Sequence, residues 1–346
     1  MGGKALNKYG VHTDRKNTEE FQRIGKAIQD SLSFFFLRQY GIELETTIVT
    51  CYHTKSDHGD LDVLIKLTPE IESKNIDFKT AIQVTYLPQA IHNNGGVYSF
   101  DYQNFQIDFI PVKESKWETA KVYYSYDPLG NIMGKTFHKF GLSYGWDGLF
   151  YKFRNFNGRN SENILLTNDA KRIFDFGGYN YERYLLGFET LEDILKFAID
   201  CKYFDTEIFQ MDNLKSIDKK RNRKRGSYHV FLKYLKDNEI NIRYPFDKNK
   251  DNYLKWIDVN FPEARLMEKL GELQRKDKED KILSQKFNGD IVMSWLPNLM
   301  GKELGLAIGE FKKSFEENDE DYKEFILNAS YNDIHERFMN TYNGRN

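Results

Sequence analysis

The stretch Ser56-Asp57-His58-Gly59-Asp60-Leu61-Asp62-Val63-Leu64-Ile65 sets two acids, Asp60 and Asp62, at the head of a strand-like apolar run. Side chains of a strand alternate between faces, so residues i and i+2 project together, about 7 Å apart along the chain. Asp60 and Asp62 therefore share one face, and Leu61, Val63 and Ile65 take the other. Two like charges that close are costly unless a cation sits between them. Hard carboxylate oxygens at this spacing suit Mg²⁺, and a pair of such ions can activate a hydroxyl and a leaving phosphate. Gly59, just before the pair, allows a sharp turn and the close approach of a phosphate.

A site of this kind needs a third carboxylate. Phe105-Gln106-Ile107-Asp108-Phe109-Ile110-Pro111-Val112 is a second strand-like run with one acid at its centre. An Asp between Ile and Phe in such a run is costly to bury unpaired, and becomes intelligible if it joins Asp60 and Asp62.

Gly59-Asp60-Leu61-Asp62-Val63-Leu64, with Ile107-Asp108-Phe109 about 45 residues later, resembles the catalytic core of the DNA polymerase β-like nucleotidyltransferase superfamily. The resemblance implies that Asp60 and Asp62 hold two Mg²⁺ ions, with Mn²⁺ an alternative, together with a nucleoside triphosphate. It implies that Asp108 binds one metal and acts on the incoming 3′-hydroxyl. The implied fold is α+β with a small mixed-sheet palm, which the run of helix and strands places at 1–115; the residue pattern after it sets mostly α-helical domains at 116–245 and 246–346. The chain departs from the family in one respect. A Gly-Gly or Gly-Ser pair usually precedes the acids, and here that turn reads Val49-Thr50-Cys51-Tyr52-His53-Thr54-Lys55. Lys55, Gly59 and the hydroxyls of Thr50, Thr54 and Ser56 are the local candidates for the triphosphate. Gly2-Gly3-Lys4 has two readings, a segment folded over the site or a flexible start.

Composition limits the alternatives. A formal net charge of −2 over 346 residues excludes a general basic field, so nucleic-acid contact must use local patches. Aromatics make up 15% of the chain, a supply that suits both a core and base stacking. Cys51 and Cys201 are too few and too far apart for a disulfide framework or a zinc site. There is no apolar signal region and no run near the roughly 20 apolar residues of a membrane span, so a cytoplasmic protein without membrane contact is expected.

Along the chain, the spacing of Phe21, Ile24, Ile28, Leu32 and Phe35 predicts a helix over 17–40, capped by Asn17 or Thr18. Strands are expected at 43–52, 60–67, 80–87 and 97–112, with Asn93-Asn94-Gly95-Gly96 as a turn. Beyond 116 the pattern turns helical. Lys135, His138 and Lys139 share a helical face, either solvated or in contact with triphosphate or RNA. Residues 141–151 are rich in glycine and aromatics, so that Tyr144 or Trp146 stacks a base or the group fills a domain junction.

The strongest charge cluster is Lys215-Ser216-Ile217-Asp218-Lys219-Lys220-Arg221-Asn222-Arg223-Lys224-Arg225, seven bases and one acid. Tyr228, Phe231 and Tyr234 follow at helical spacing. The block is a solvated face or, with Lys219, Lys220, Arg221, Arg223, Lys224 and Arg225, a contact for the RNA backbone. Residues 236–255 read as a polar linker. Residues 287–311 read as helix, Pro-Asn turn, helix, and resemble the C-terminal element of bacterial-type tRNA nucleotidyltransferases and related poly(A) polymerases. The function so implied is template-independent transfer of nucleotides to an RNA 3′ end. The alternatives are AMP transfer to a small molecule or protein, and an inactive RNA-binding module of the same fold.

Overall fold

The computed structural model describes residues 3–158 and 161–344. It is a mixed α+β structure. The central five-stranded sheet has the order β2 (Thr46–Ile48), β4 (Asp60–Leu67), β7 (Phe105–Lys113), β6 (Val97–Tyr102), β5 (Ile91–Asn94). β4 and β7 are parallel and the other pairs antiparallel. A two-residue ladder joins β1 (Lys16–Asn17) to β3 (Asp57–His58) just ahead of β4.

Alternation along β4 and β7 gives the sheet two different faces. Leu61, Val63, Ile65, Ile107 and Phe109 pack under α1 (Thr18–Tyr40) and α3 (Phe78–Tyr86), against Ile24, Ile28, Leu32, Phe36, Phe78 and Ile82. On the opposite face, Leu64, Ile110 and Val112 meet Trp117 and Ala120 of α4 (Trp117–Tyr124). The acids sit on this second face, one alternation before that apolar cluster, where the strands begin. A short helix, α2 (Pro69–Ser73), follows β4.

α1 starts as its sequence predicts. The Asn17 side chain accepts a hydrogen bond from the Glu20 amide at 2.9 Å, and Glu19 and Glu20 occupy the first turn, where the helix dipole favours acids. Asn17→Ala should cost about 1 kcal/mol in a urea melt; a change below about 0.3 kcal/mol would show that the cap carries no weight.

One expected strand is a helix. Residues 80–87 read as a strand because Thr80, Ile82, Val84 and Thr85 are β-branched, yet Phe78–Tyr86 forms α3. Asp77 caps it by accepting from the Lys79 amide at 3.0 Å, and Phe78, Ala81 and Ile82 bury one face. Burial of that i, i+3, i+4 stripe against the sheet outweighs the strand propensity. The Gly95-Gly96 turn is present, both residues at positive φ, joining β5 to β6.

After α4 come α5 (Leu129–Lys139) and, among the expected helices, a second sheet of β8 (Leu142–Gly145), β9 (Gly148–Arg154) and β10 (Ser161–Thr167). Glycine at the Trp146-Asp147 turn lets β8 and β9 fold back on each other. Then follow α6 (Ala170–Gly177), α7 (Tyr181–Leu185), α8 (Leu191–Ile199), α9 (Ser216–Asn222), α10 (Gly226–Asp237) and α11 (Leu254–Asn260).

The chain forms two compact units: residues 1–152 with 164–264, and residues 153–163 with 265–346. The segments expected as separate domains at 1–115 and 116–245 lie in the first unit apart from 153–163, and 246–346 is divided at 264/265. The supposed linker explains the division. Phe246, Tyr253 and Trp256 ring Phe140, with centroids 5.0–5.3 Å away, which ties 244–261 into the first unit. The second unit contains α12 (Leu266–Lys286), α13 (Gly289–Trp295), α14 (Gly301–Glu316), α15 (Tyr322–Asn328) and α16 (Tyr331–Asn343) around Phe287, Val292, Phe311, Phe315, Ile326 and Phe338. α13 and α14 match the expected helix-turn-helix. Among the described residues no helix is long and apolar enough to cross a membrane.

Candidate active site

Parallel pairing of β4 and β7 puts Asp60 opposite Gln106 and Asp62 opposite Asp108. All four side chains leave the same face, because their spacing is two residues on each strand. The local pattern on two strands thus becomes a square of three carboxylates and an amide.

Burial pushes all three acids above the ordinary carboxylate range. For Asp60 the Gly3 amide and the Lys55 charge oppose that effect. Asp62 lies well above it, because repulsion from Asp60 and then Asp108 adds to burial. Asp108 is pushed up to about 6 by burial, against hydrogen bonds from Ser99 and Gln106 and with the Asp60 charge adding to the rise. These are the electrostatics of buried carboxylates crowded on one sheet face.

The acids are engaged by protein groups. The Gln106 amide donates to both Asp108 oxygens, at 3.0 and 3.2 Å. The Gly3 N–H donates to Asp60 Oδ2 at 3.1 Å, and the Ala5 N–H to Gln106 Oε1 at 2.9 Å. Gly3 therefore lies over the site; Gly2 is outside the described residues. Among the described residues no group of three or more His, Cys, Asp and Glu side chains converges at ligand spacing. The backbone juxtaposes the acids, and these hydrogen bonds turn their oxygens to different partners.

Asp60 and Asp62 line a cleft of about 610 Å³, together with Lys55, Gly59, Tyr123, Tyr124, Asn131, Trp146, Lys224 and Arg225. A second chamber of about 670 Å³ shares Arg15, Cys51, Lys55, Asp127, Gly226 and Ser227 with it and is otherwise lined by Tyr52, Ser56, Tyr126 and His229, among others. Lys55, Ser56 and Gly59, expected near the triphosphate, are thus at or beside the acids. Trp146 lines the cleft, whereas Tyr144 is buried against Tyr123 and Phe137, at centroid distances of 5.2 and 5.4 Å.

Other expected contacts lie elsewhere. Lys135, His138 and Lys139 on α5 do not line the acid cleft. Burial lowers the Lys135 pKa, and its ammonium lies 5.3 Å from the Tyr228 ring centroid. The His138 carbonyl accepts from Lys250 Nζ at 2.5 Å. The basic block splits: Lys219, Lys220 and Arg221 end α9, and Arg223, Lys224 and Arg225 form the connector into α10. Lys224 and Arg225 reach the cleft; Lys219, Lys220, Arg221 and Arg223 do not line it. Tyr228 and Phe231 are core residues, with the Tyr228 hydroxyl donating to the Phe209 carbonyl at 2.5 Å, so they are unavailable for stacking.

Sequence reasoning missed Gln106, Ser99, Arg15 and His58. Gln106 is buried beside the acids, and its position at i−2 from Asp108 is the signal that marks it. His58 is buried and stacks on Phe21 at 3.9 Å between centroids, and burial lowers its pKa. No protein-family model and no curated protein matches the chain.

Proposed function

We propose that this chain is a nucleotidyltransferase that adds nucleotides from a nucleoside triphosphate to an RNA 3′ end without a template. The observation that carries the reading is the in-register set Asp60, Asp62 and Asp108 on one sheet face, beside a cleft with Lys55, Lys224 and Arg225 in its walls. The small sheet plays the part of the palm, and the helices that follow it supply the basic wall.

The donor set fits divalent magnesium: hard carboxylate oxygens, crowded and mutually repelling, with burial raising the cost of their charge. Asp60, Asp62 and Asp108 would hold the ions, which supply charge neutralisation at the phosphates and acidify a bound hydroxyl. Gln106 orients Asp108, the carboxylate that would act on the acceptor hydroxyl. Lys55, Lys224 and Arg225 offset the negative charge of the phosphates. Trp146, at the cleft, offers a face for a base. Lys219, Lys220, Arg221 and Arg223 extend the positive surface along the chain from the cleft wall, which suits the backbone of an acceptor strand.

The test is incorporation of labelled ATP, CTP, GTP and UTP, one at a time with Mg²⁺, into bulk tRNA and a short oligoribonucleotide. Extension is expected, and Asp60→Ala and Asp108→Ala should each remove it. Label on small molecules or on protein instead would favour AMP transfer. RNA binding without transfer, indifferent to Asp60→Ala and to Mg²⁺, would favour an inactive module.

A further inference from the structure

Residues 3–17 are fastened along the acid-bearing strands. Gly3 and Ala5 give their amides to Asp60 and Gln106, and the Gly3 carbonyl accepts from Thr13 Oγ1 at 3.2 Å. Leu6 and Val11 are buried, and the Asp14 amide donates to the Asn104 carbonyl at 2.8 Å. The segment ends in the β1–β3 ladder, where Lys16 pairs with His58. Its backbone demands glycine at position 3: φ is +82°, and a Cβ there would lie 2.2 Å from the Gly59 carbonyl oxygen.

This course delivers Arg15 to the wall shared by the two chambers. Asp57 holds it from one side only: Nε lies 2.8 and 2.7 Å from the two carboxylate oxygens, and Nη2 reaches the Asp57 carbonyl at 3.4 Å. A guanidinium carries five donors, and anions are gripped best by its terminal fork. Here Nε takes the fixed partner, so the fork keeps donors for a second anion. Lys55 shares both chambers with Arg15, and the turn before the acids offers no glycine pair to cradle a phosphate.

We propose that Arg15 is a triphosphate-binding residue and that residues 3–17, anchored on Asp60 and Gln106, are a working part of the site. This rests on the nucleotidyl-transfer reading. The same fork chemistry would serve a backbone phosphate of the acceptor, so the experiment separates the two sources.

Binding of inorganic triphosphate, of ATP and of a short oligoribonucleotide would be measured separately by calorimetry, with Mg²⁺ present, on the full chain and on Arg15→Ala, Arg15→Lys and Gly3→Ala. Arg15→Ala should weaken triphosphate and ATP by about ten-fold or more, the usual worth of a charge-assisted contact, and leave the oligoribonucleotide unchanged. Arg15→Lys should recover part of the loss, since it restores charge without the fork. Gly3→Ala should reproduce the loss by lifting the segment. The Arg15–Asp57 pair is largely exposed, so the two Arg15 variants should melt as the parent does. Unchanged triphosphate affinity in Arg15→Ala, or a loss confined to the oligoribonucleotide, overturns the inference and leaves the transfer reading standing. A parent chain that binds neither triphosphate nor ATP overturns both.

Discussion

Asp62→Asn should lower nucleotide transfer by at least about 10³-fold and, measured without divalent cations, raise the melting temperature. The two effects have one cause. Asp62 lies between Asp60 on its own strand and Asp108 across the parallel pair, and burial and both neighbours oppose its charge. A neutral amide of the same shape removes that repulsion, and with it the attraction for a cation. Each kcal/mol so recovered is worth about 2–4 °C in a unit of this size. Added Mg²⁺ should stabilise the parent and leave the variant unmoved. A melting temperature that falls while transfer survives would sink the assignment.

The same electrostatics set a pH dependence. Asp108 has a folded-state pKa of about 6 against the ordinary 3.8, so the folded chain binds its proton more tightly than the unfolded chain does. Stability then rises as pH falls through 6, and the gain is complete below 3.8. Asp60 and Asp62, raised for the same reason, contribute with the same sign. Glu45, held low first by its hydrogen bond from Lys66, and Glu263, held low first by Arg172, act oppositely below the ordinary 4.5. His138, which burial pushes down to about 4, and His58, lowered first by burial, oppose that gain between pH 7 and about 5, so the effect is read as a difference: the cation-free stability gained by Asp62→Asn over the parent should shrink as pH falls from 7 to about 5. A difference that stays constant or grows over that interval would contradict it.

Phe109→Ala should cost about 3–5 kcal/mol of folding stability, read from the urea midpoint. Phe109 follows Asp108 directly and faces the other way, fully buried, with Phe100 edge-on at 4.9 Å and Tyr86 at 5.8 Å. The α1 and α3 helices close over it, so the cavity cannot fill by a small shift. The contrast with Asp62 is the informative part: adjacent alternations on one sheet carry packing that stabilises on one face and crowded carboxylates whose burial opposes stability on the other. A loss under about 1 kcal/mol would mean that this face is loosely packed.

What the chain declares by itself is what depends on near neighbours. The alternation around Asp60 and Asp62 gave β4 its bounds and its two faces, and the i, i+3, i+4 stripe with Asn17 ahead of it gave α1. The three acids were legible as candidates, since an acid among apolar strand residues is anomalous wherever the strand lies. Local signals failed where packing overrules propensity, as in α3, whose β-branched residues form a helix because Phe78, Ala81 and Ile82 find the sheet. They failed again at 142–167, where glycines and aromatics build a hairpin sheet. The surroundings of the acids came only from tertiary structure. Parallel register brings Gln106 and Asp108 beside the pair, and residues 3–17 and the pair Lys224 and Arg225 come from segments about 200 residues apart in the sequence. Nor does helical spacing distinguish a basic or aromatic face turned to a cleft from one turned to a core. Lys224 and Arg225 reach the cleft, whereas Tyr228 and Phe231, a few residues on, are buried. Periodicity specifies which side chains travel together, and only the packed chain specifies what they meet.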